Sequence, residues 1–437
     1  MSPIPFLNCI AYIFSLPIAF RRRERRYRGI ERNKKVKEKK RTLGLYVHIP
    51  FCVRKCNYCD FLSFSATEEV KEQYVQALCD EITSFSHVKN VDFEVATIFF
   101  GGGTPSVLKG EQMERIMKAI QQTFPVKADA EITIEMNPGT VTKEKLETYY
   151  KIGINRLSIG LQTTDDERLK VLGRIHTYEQ FLHNYQWARE VGFQNISVDL
   201  MSALPKEDLA SYQKDIERIL SLQPEHISSY SLIIEEGTPF YNNDEILDHL
   251  PEEEEDRAMY ELTRQLLQKE GYHRYEISNY AKEGKESRHN SVYWTGGEYL
   301  GLGLGASSYL RSDHRYVGDK EKEEVYAYRF KNVSSMKAYL ENPVTVCEQR
   351  EEWTEITKKD AMEEFMYLGL RMRKGISEKE FFEKFKEPLE DIYGEVLLKF
   401  HSMNLLAWNG EKGERQIYLT DQGIDVSNAI LCEFLLS

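Results

Sequence analysis

Residues 46–61 read YVHIPFCVRKCNYCDF. A short β-branched run, Leu45 to Ile49, stops at a proline and is followed by Cys52, Cys56 and Cys59 in Cx3Cx2C spacing. Three thiolates at these intervals can converge from one loop. Structural zinc takes four ligands in paired CxxC arrangements, and the neighbouring His48 and Asp60 do not complete such a set. An iron–sulfur cluster with one iron left free of protein fits better, and an open metal position can bind a small molecule directly.

Working outward, the β-branched run recurs at Val95 to Phe100, Ile132 to Met136, Arg156 to Gly160, Ile196 to Met201 and Ile227 to Ile234. Helical stretches separate these runs. Just after the cysteines, Val70, Tyr74, Leu78, Ile82 and Phe85 recur at three- and four-residue steps and make one apolar face. Similar stretches cover residues 109–123, 142–152, 178–190 and 208–222. Six strands alternating with helices predict an α/β fold of parallel βα units, whose chemistry sits in the loops after the strands.

The unusual residues fall there. The second strand ends in FFGGGTPS, where Gly101, Gly102 and Gly103 let backbone approach a ligand closely and Thr104 adds a hydroxyl. Later strands end near Glu135, Gln162, Arg174 and Asp199. Each of these could equally cap a buried strand or pair with a neighbouring charge. Neither the glycine triplet nor Gly301–Ala306 has GxGxxG spacing, and no GxxxxGKT or HExxH segment is present, so dinucleotide, P-loop and hydrolytic zinc sites are set aside.

The cysteine spacing after a first strand resembles the radical S-adenosylmethionine (radical SAM) superfamily. That resemblance implies a partial (β/α)6 barrel with a 4Fe-4S cluster on Cys52, Cys56 and Cys59. It further implies SAM on the open iron, cleaved by an electron to a 5'-deoxyadenosyl radical. The same resemblance assigns SAM contacts to Gly102, Gly103, Thr104, Glu135, Gln162, Arg174 and Asp199, with Tyr46 beside the methionine. More narrowly, YVHIPFC, FGGGTPS, DLMSALP, YEISNYA and SRHNSVYW are similar to the HemN and HemW proteins across nearly all of residues 42–437. The HNxxYW group, His289, Asn290, Tyr293 and Trp294, points to the HemW side and implies a haem-binding candidate, with His289 as axial ligand.

One departure bears on function. The HemN-type coproporphyrinogen dehydrogenases carry a fourth cysteine two positions past the third, where this chain has Phe61. The resemblance therefore implies a haem chaperone that passes haem to respiratory haem proteins, in preference to an oxidative decarboxylase of a porphyrinogen, and leaves enzymatic activity open.

The 437 residues are 41% hydrophobic and 29% charged, which excludes a fibre or a disordered chain. Seven cysteines, an odd count with three crowded together, suit a reducing compartment. The net charge of −12 argues against nucleic-acid binding but hides an asymmetry. Residues 1–41 carry +10, with thirteen Lys or Arg behind an apolar stretch from Pro3 to Phe20, and the remainder stands at −22. The arm reads as a membrane-touching anchor with a polybasic collar, a disordered tail, or a mis-assigned start. The order of charges would keep the body in the cytoplasm, at the inner face of the membrane if the arm is an anchor. The expected division is residues 1–41 as extension, 42–285 as the radical SAM domain and 286–355 as an HNxxYW connecting region. Residues 356–437 are then a small winged-helix-like C-terminal domain, and a homodimer is compatible with all of this.

Overall fold

The computed structural model of the chain describes residues 40–87, 93–314, 325–341 and 350–436. The +10 arm, apart from its last two residues, lies outside them, as do Cys9 and Cys347. Six strands come first: β1 (Arg41–Ile49), β2 (Phe93–Gly102), β3 (Val126–Met136), β4 (Arg156–Gln162), β5 (Ile196–Ser202) and β6 (His226–Ser231). They pair in sequence order and in parallel. The crossovers are α1 (Glu68–Ser84), α2 (Gly110–Thr123), α3 (Lys143–Lys151), α4 (Asp166–Val171) with α5 (Tyr178–Val191), and α6 (Leu209–Leu220). The expected partial barrel is thus present, with α4 added to the helices that periodicity marks.

Local chemistry sets these boundaries. Thr67, Thr142, Asp165, Thr177 and Asp208 cap α1, α3, α4, α5 and α6 by accepting first-turn N–H bonds. The acidic run at 252–256 opens α7 (Glu253–Lys269), where negative charge favours a helix start. Then come β7 (His273–Arg274), β8 (Asn279–Ala281) and a short helix carrying HNxxYW, α8 (Arg288–Trp294).

The region after α8 rejoins the barrel sheet. Strand β9 (Glu298–Leu302) pairs parallel to β1 on the edge opposite β2. It is extended by antiparallel β10 (Ser307–Arg311), β11 (Val325–Asn332) and β12 (Arg350–Thr357), while β8 and β7 extend the β6 edge. The result is one twelve-stranded sheet. The chain then forms α9 (Lys358–Gly369), β13 (Ile376–Ser377), α10 (Glu378–Phe385), α11 (Leu389–Ser402), β14 (Leu406–Asn409) and β15 (Gln416–Leu419). A second core, in which Phe365, Phe381, Phe385 and Tyr393 stack edge to face, holds this C-terminal domain together. Among the described residues no helix is long and apolar enough to cross a membrane.

Candidate functional site

The three cysteines sit on the loop between β1 and α1. Its base is closed by a bridge between Phe51 and Phe64 and by the Cys52 N–H donating to the Phe64 carbonyl at 3.1 Å. Its tip docks on the turn after α4: Asn57 donates from its backbone to Leu172 O (3.0 Å) and from its side chain to Val171 O (2.8 Å). Arg54 adds a bond to Gly173 O at 2.7 Å. The loop is therefore anchored at both ends, and the thiols between them are free and half-buried.

The thiols have specific neighbours. Cys52 Sγ lies 3.5 Å from Thr104 Oγ1, and Arg174 Nη1 donates to Cys56 Sγ at 3.6 Å. Arg174 also donates to Gly160 O, while its Nε is buried with no partner, leaving a donor to spare beside the cysteines. Burial pushes the Cys59 thiol up to about 11. Among the described residues no three His, Cys, Asp or Glu side chains close on one point as a single ion requires. Thiolates that each take a separate iron of a cluster need not converge so tightly.

The glycine triplet acts first on the chain itself. A Cβ on Gly102 would stand 2.5 Å from the His48 ring, and one on Gly103 would stand 2.8 Å from Phe51 O. Gly102 also has φ of 114°, a region that L side chains rarely adopt. The triplet thus lets the base of the cysteine loop lie directly on the end of β2. His48 is fixed by two bonds: Nε2 donates to Leu62 O (3.0 Å), so Nδ1 accepts from Tyr46 OH (3.0 Å). Burial lowers its pKa to about 4, so the ring stays neutral.

Tyr46, Glu135 and Phe99 surround the Gly101 position inside the barrel. Glu135 accepts the Gly102 N–H at 3.1 Å, and its pKa rises to about 8, from burial first and the Asp199 charge second. Burial also raises Asp199, against bonds from Ser158 (3.3 Å) and Ser197 (3.4 Å) that favour the anion. Gln162 ends β4 with φ of 81°, strained for a non-glycine residue, and accepts from Tyr230 OH at 3.1 Å. Tyr46, Gly102, Gly103, Thr104, Glu135, Gln162, Arg174 and Asp199 therefore gather at the end of the barrel that carries the cysteine loop.

The HNxxYW group is elsewhere. Ser287 and the Glu131 carboxylate cap α8, Glu131 accepting the N–H groups of Arg288 (3.0 Å) and His289 (2.9 Å). His289 is 0% exposed. Its Nδ1 bonds Thr97 Oγ1 and its Nε2 bonds Tyr293 OH, each at 2.8 Å. Burial first, and the Arg156 charge second, lower its pKa to about 3. As an axial ligand the imidazole would first have to give up one of these partners, because no lone pair faces an opening. Trp294 packs beneath the Arg371 guanidinium, 4.7 Å from the ring centre, and Asn290 is half-buried.

Two inward residues escaped the sequence reading. Arg156, 2% exposed with Nε unpartnered, sits inside the barrel, where its charge favours the Glu135 and Asp199 anions and opposes protonation of His289. Glu131 is the other. The available signal was a charged residue sharing inward parity with Ser158 and Gly160, or with Thr133 and Glu135. Phe61, in contrast, is 61% exposed.

Comparison with known proteins follows the same lines. Residues 46–219 match the radical SAM superfamily and residues 356–426 match the HemN C-terminal domain. The chain is 36% identical over 392 residues to Heme chaperone HemW of Lactococcus lactis subsp. lactis (strain IL1403), spanning 90% of this chain and 97% of that one. It is 37% identical over 395 residues to Heme chaperone HemW of Bacillus subtilis (strain 168), spanning 89% and 98%. Among solved structures, coproporphyrinogen III oxidase (HemN) from Escherichia coli, described as a radical SAM enzyme, superposes with a TM-score of 0.75 over 91% of each chain at 23% identity. That last likeness is one of fold.

Proposed function

The chain belongs to the HemW family, and from that premise we propose that it is a haem chaperone built on a radical SAM fold, binding a 4Fe-4S cluster, SAM and haem. The residues fit the first two groups. Cys52, Cys56 and Cys59 would supply thiolates to a cluster, and Arg174, which donates to Cys56 Sγ and keeps a buried Nε without a partner, would supply a cationic donor to an anionic group bound there. The glycine-rich end of β2, Glu135, Gln162 and Asp199 would hold SAM. When bound, a cluster of this kind supplies an electron to its ligand. The protein would orient that ligand and exclude water around it.

The observation that carries the chaperone reading is Phe61. At the position of the dehydrogenases' additional thiol, this chain presents an exposed apolar ring that can neither ligate nor move a proton. The coproporphyrinogen dehydrogenase alternative rests on the fold likeness to HemN. One anaerobic experiment separates the two: reconstituted protein is given SAM, a reductant and coproporphyrinogen III. No decarboxylated product is expected, and product above background would remove the chaperone-only reading. Spectroscopic haem titration of the same sample should show saturable binding.

Delivery of haem to haem proteins, some of them in membranes, belongs to the same proposal. So does contact of residues 1–41 with an anionic lipid surface. Its check is partition to anionic vesicles of the full chain against a chain starting at Thr42; equal partition would show that the arm is no anchor.

A further inference from the structure

The HNxxYW group has a place in the packing that is independent of any ligand it holds. Rings pass in contact through the barrel from the cysteine loop to the C-terminal domain. His48 and Tyr46 have ring centres 5.9 Å apart, Tyr46 and Phe99 stack at 6.3 Å, and Phe99 and His289 stack at 5.1 Å. From there Tyr293 meets His289 edge-on at 5.2 Å, Tyr299 meets Tyr293 at 4.7 Å, and Tyr309 stacks on Tyr299 at 6.2 Å.

Both ends of this column are fastened to functional parts. At the top, His48 Nε2 holds Leu62 O, three residues past the last cysteine. At the bottom, Arg329 lies 5.4 Å over the Tyr309 ring and donates to Glu364 of α9 at 2.9 Å. A second fastening runs from α8 itself, through Trp294 to Arg371 just past the end of α9.

The column has space reserved for it. A Cβ on Gly101 would stand 2.9 Å from Phe99 and 3.0 Å from Tyr46, and one on Gly44 would stand 3.1 Å from Thr97 Oγ1, which holds His289. An ordinary barrel core would fill this volume with branched aliphatic side chains. Here it holds rings pinned by hydrogen bonds at Tyr46, His48, His289 and Tyr293. Close-packed groups of this kind transmit strain to one another.

We propose that His289, Tyr293 and Trp294 are positioning residues that couple the seating of the C-terminal domain to the SAM end of the barrel. The proposal rests on the SAM-binding reading above. Coupling of binding free energies is reciprocal. Loosening the C-terminal domain at α8 weakens SAM binding, and SAM binding tightens α9, although no residue of α9 belongs to the SAM site.

The test uses the full chain with its cluster reconstituted anaerobically. SAM affinity is measured by equilibrium dialysis for the wild type, Arg371→Ala and Tyr293→Phe, each checked for equal iron content. Hydrogen exchange of residues 358–369 is followed with and without SAM. We expect an affinity loss of at least about fivefold in Arg371→Ala and a smaller one in Tyr293→Phe, which keeps the ring and loses only the bond to His289. SAM should slow exchange in α9 of the wild type and not in Arg371→Ala. A merely structural role would lower melting temperature and leave SAM affinity alone. Wild type that binds SAM, with variants that bind it equally or an α9 indifferent to it, overturns the coupling. Wild type that binds no SAM overturns the SAM-binding reading beneath it.

Discussion

Replacing Glu135 by glutamine is expected to stabilise the folded chain, by an amount that grows as the pH rises. Burial, and then the neighbouring Asp199 charge, lift this carboxyl from an ordinary 4.5 to about 8. Between those values the folded chain keeps a proton that the unfolded chain has released. Each pH unit in that window therefore removes about 1.4 kcal/mol from folded-state stability. The loss begins as the pH passes the unfolded value and levels off above the folded one. Glutamine has the same size, can still accept the Gly102 N–H that Glu135 accepts at 3.1 Å, and does not titrate. Between about pH 6 and about pH 8.5 the variant should gain about 2–3 kcal/mol on the wild type. Urea unfolding at the two pH values, with thiols kept reduced, measures this as a widening gap between midpoints at equal slope. A gap of the same size at both pH values would refute the reasoning, because the carboxyl would then not titrate in that window. The expected cost is function: a site that holds a ligand is commonly less stable empty than a neutral variant of it.

Three further outcomes follow from the geometry. Cys56→Ala should lose most of its reconstituted iron and sulfide while its far-ultraviolet circular dichroism stays that of the wild type; a full cluster in the variant would remove this residue from the ligand set. Gly102→Ala should be destabilised by about 2 kcal/mol or more, since its Cβ would press on the His48 ring at 2.5 Å from a φ of 114°, and an unchanged melting temperature would contradict that. Glu81→Ala should cost about 2 kcal/mol or more in urea unfolding. The buried Glu81 carboxyl accepts from Gly303 N (2.9 Å), Asn332 Nδ2 (2.7 Å) and Tyr339 OH (2.6 Å), and alanine takes the acceptor from all three.

The parallel strands were readable because each is buried on both faces and so appears as a short β-branched run between capped helices. The cysteine loop was readable for a different reason: thiols at fixed short spacing are rare and local. What stayed hidden depends on long-range packing. Arg156 and Glu131 look like ordinary strand-edge charges until the barrel closes and turns them inward. His289 is a similar case. Its type and aromatic neighbours suggest a metal ligand, and only the three-dimensional arrangement shows Thr97, 192 residues away, occupying one nitrogen. The glycine triplet was legible as a close approach, but its partner is the loop that precedes α1 as well as any ligand.

The central place of β1 in the sheet has a bearing on the order of assembly. This first strand lies between β2 and β9, and Arg41 at its start bonds Glu298, 257 residues further along the chain. During synthesis, β1 to β6 can associate as they emerge, but one edge of β1 stays open until β9 leaves the ribosome. Contacts of such long sequence separation form late and slowly. The buttress behind the cysteine loop, where the Tyr74 hydroxyl joins His48 O to Leu304 N, arrives only then. A cluster seated in the finished loop would therefore be added only after at least about two thirds of the chain has been translated.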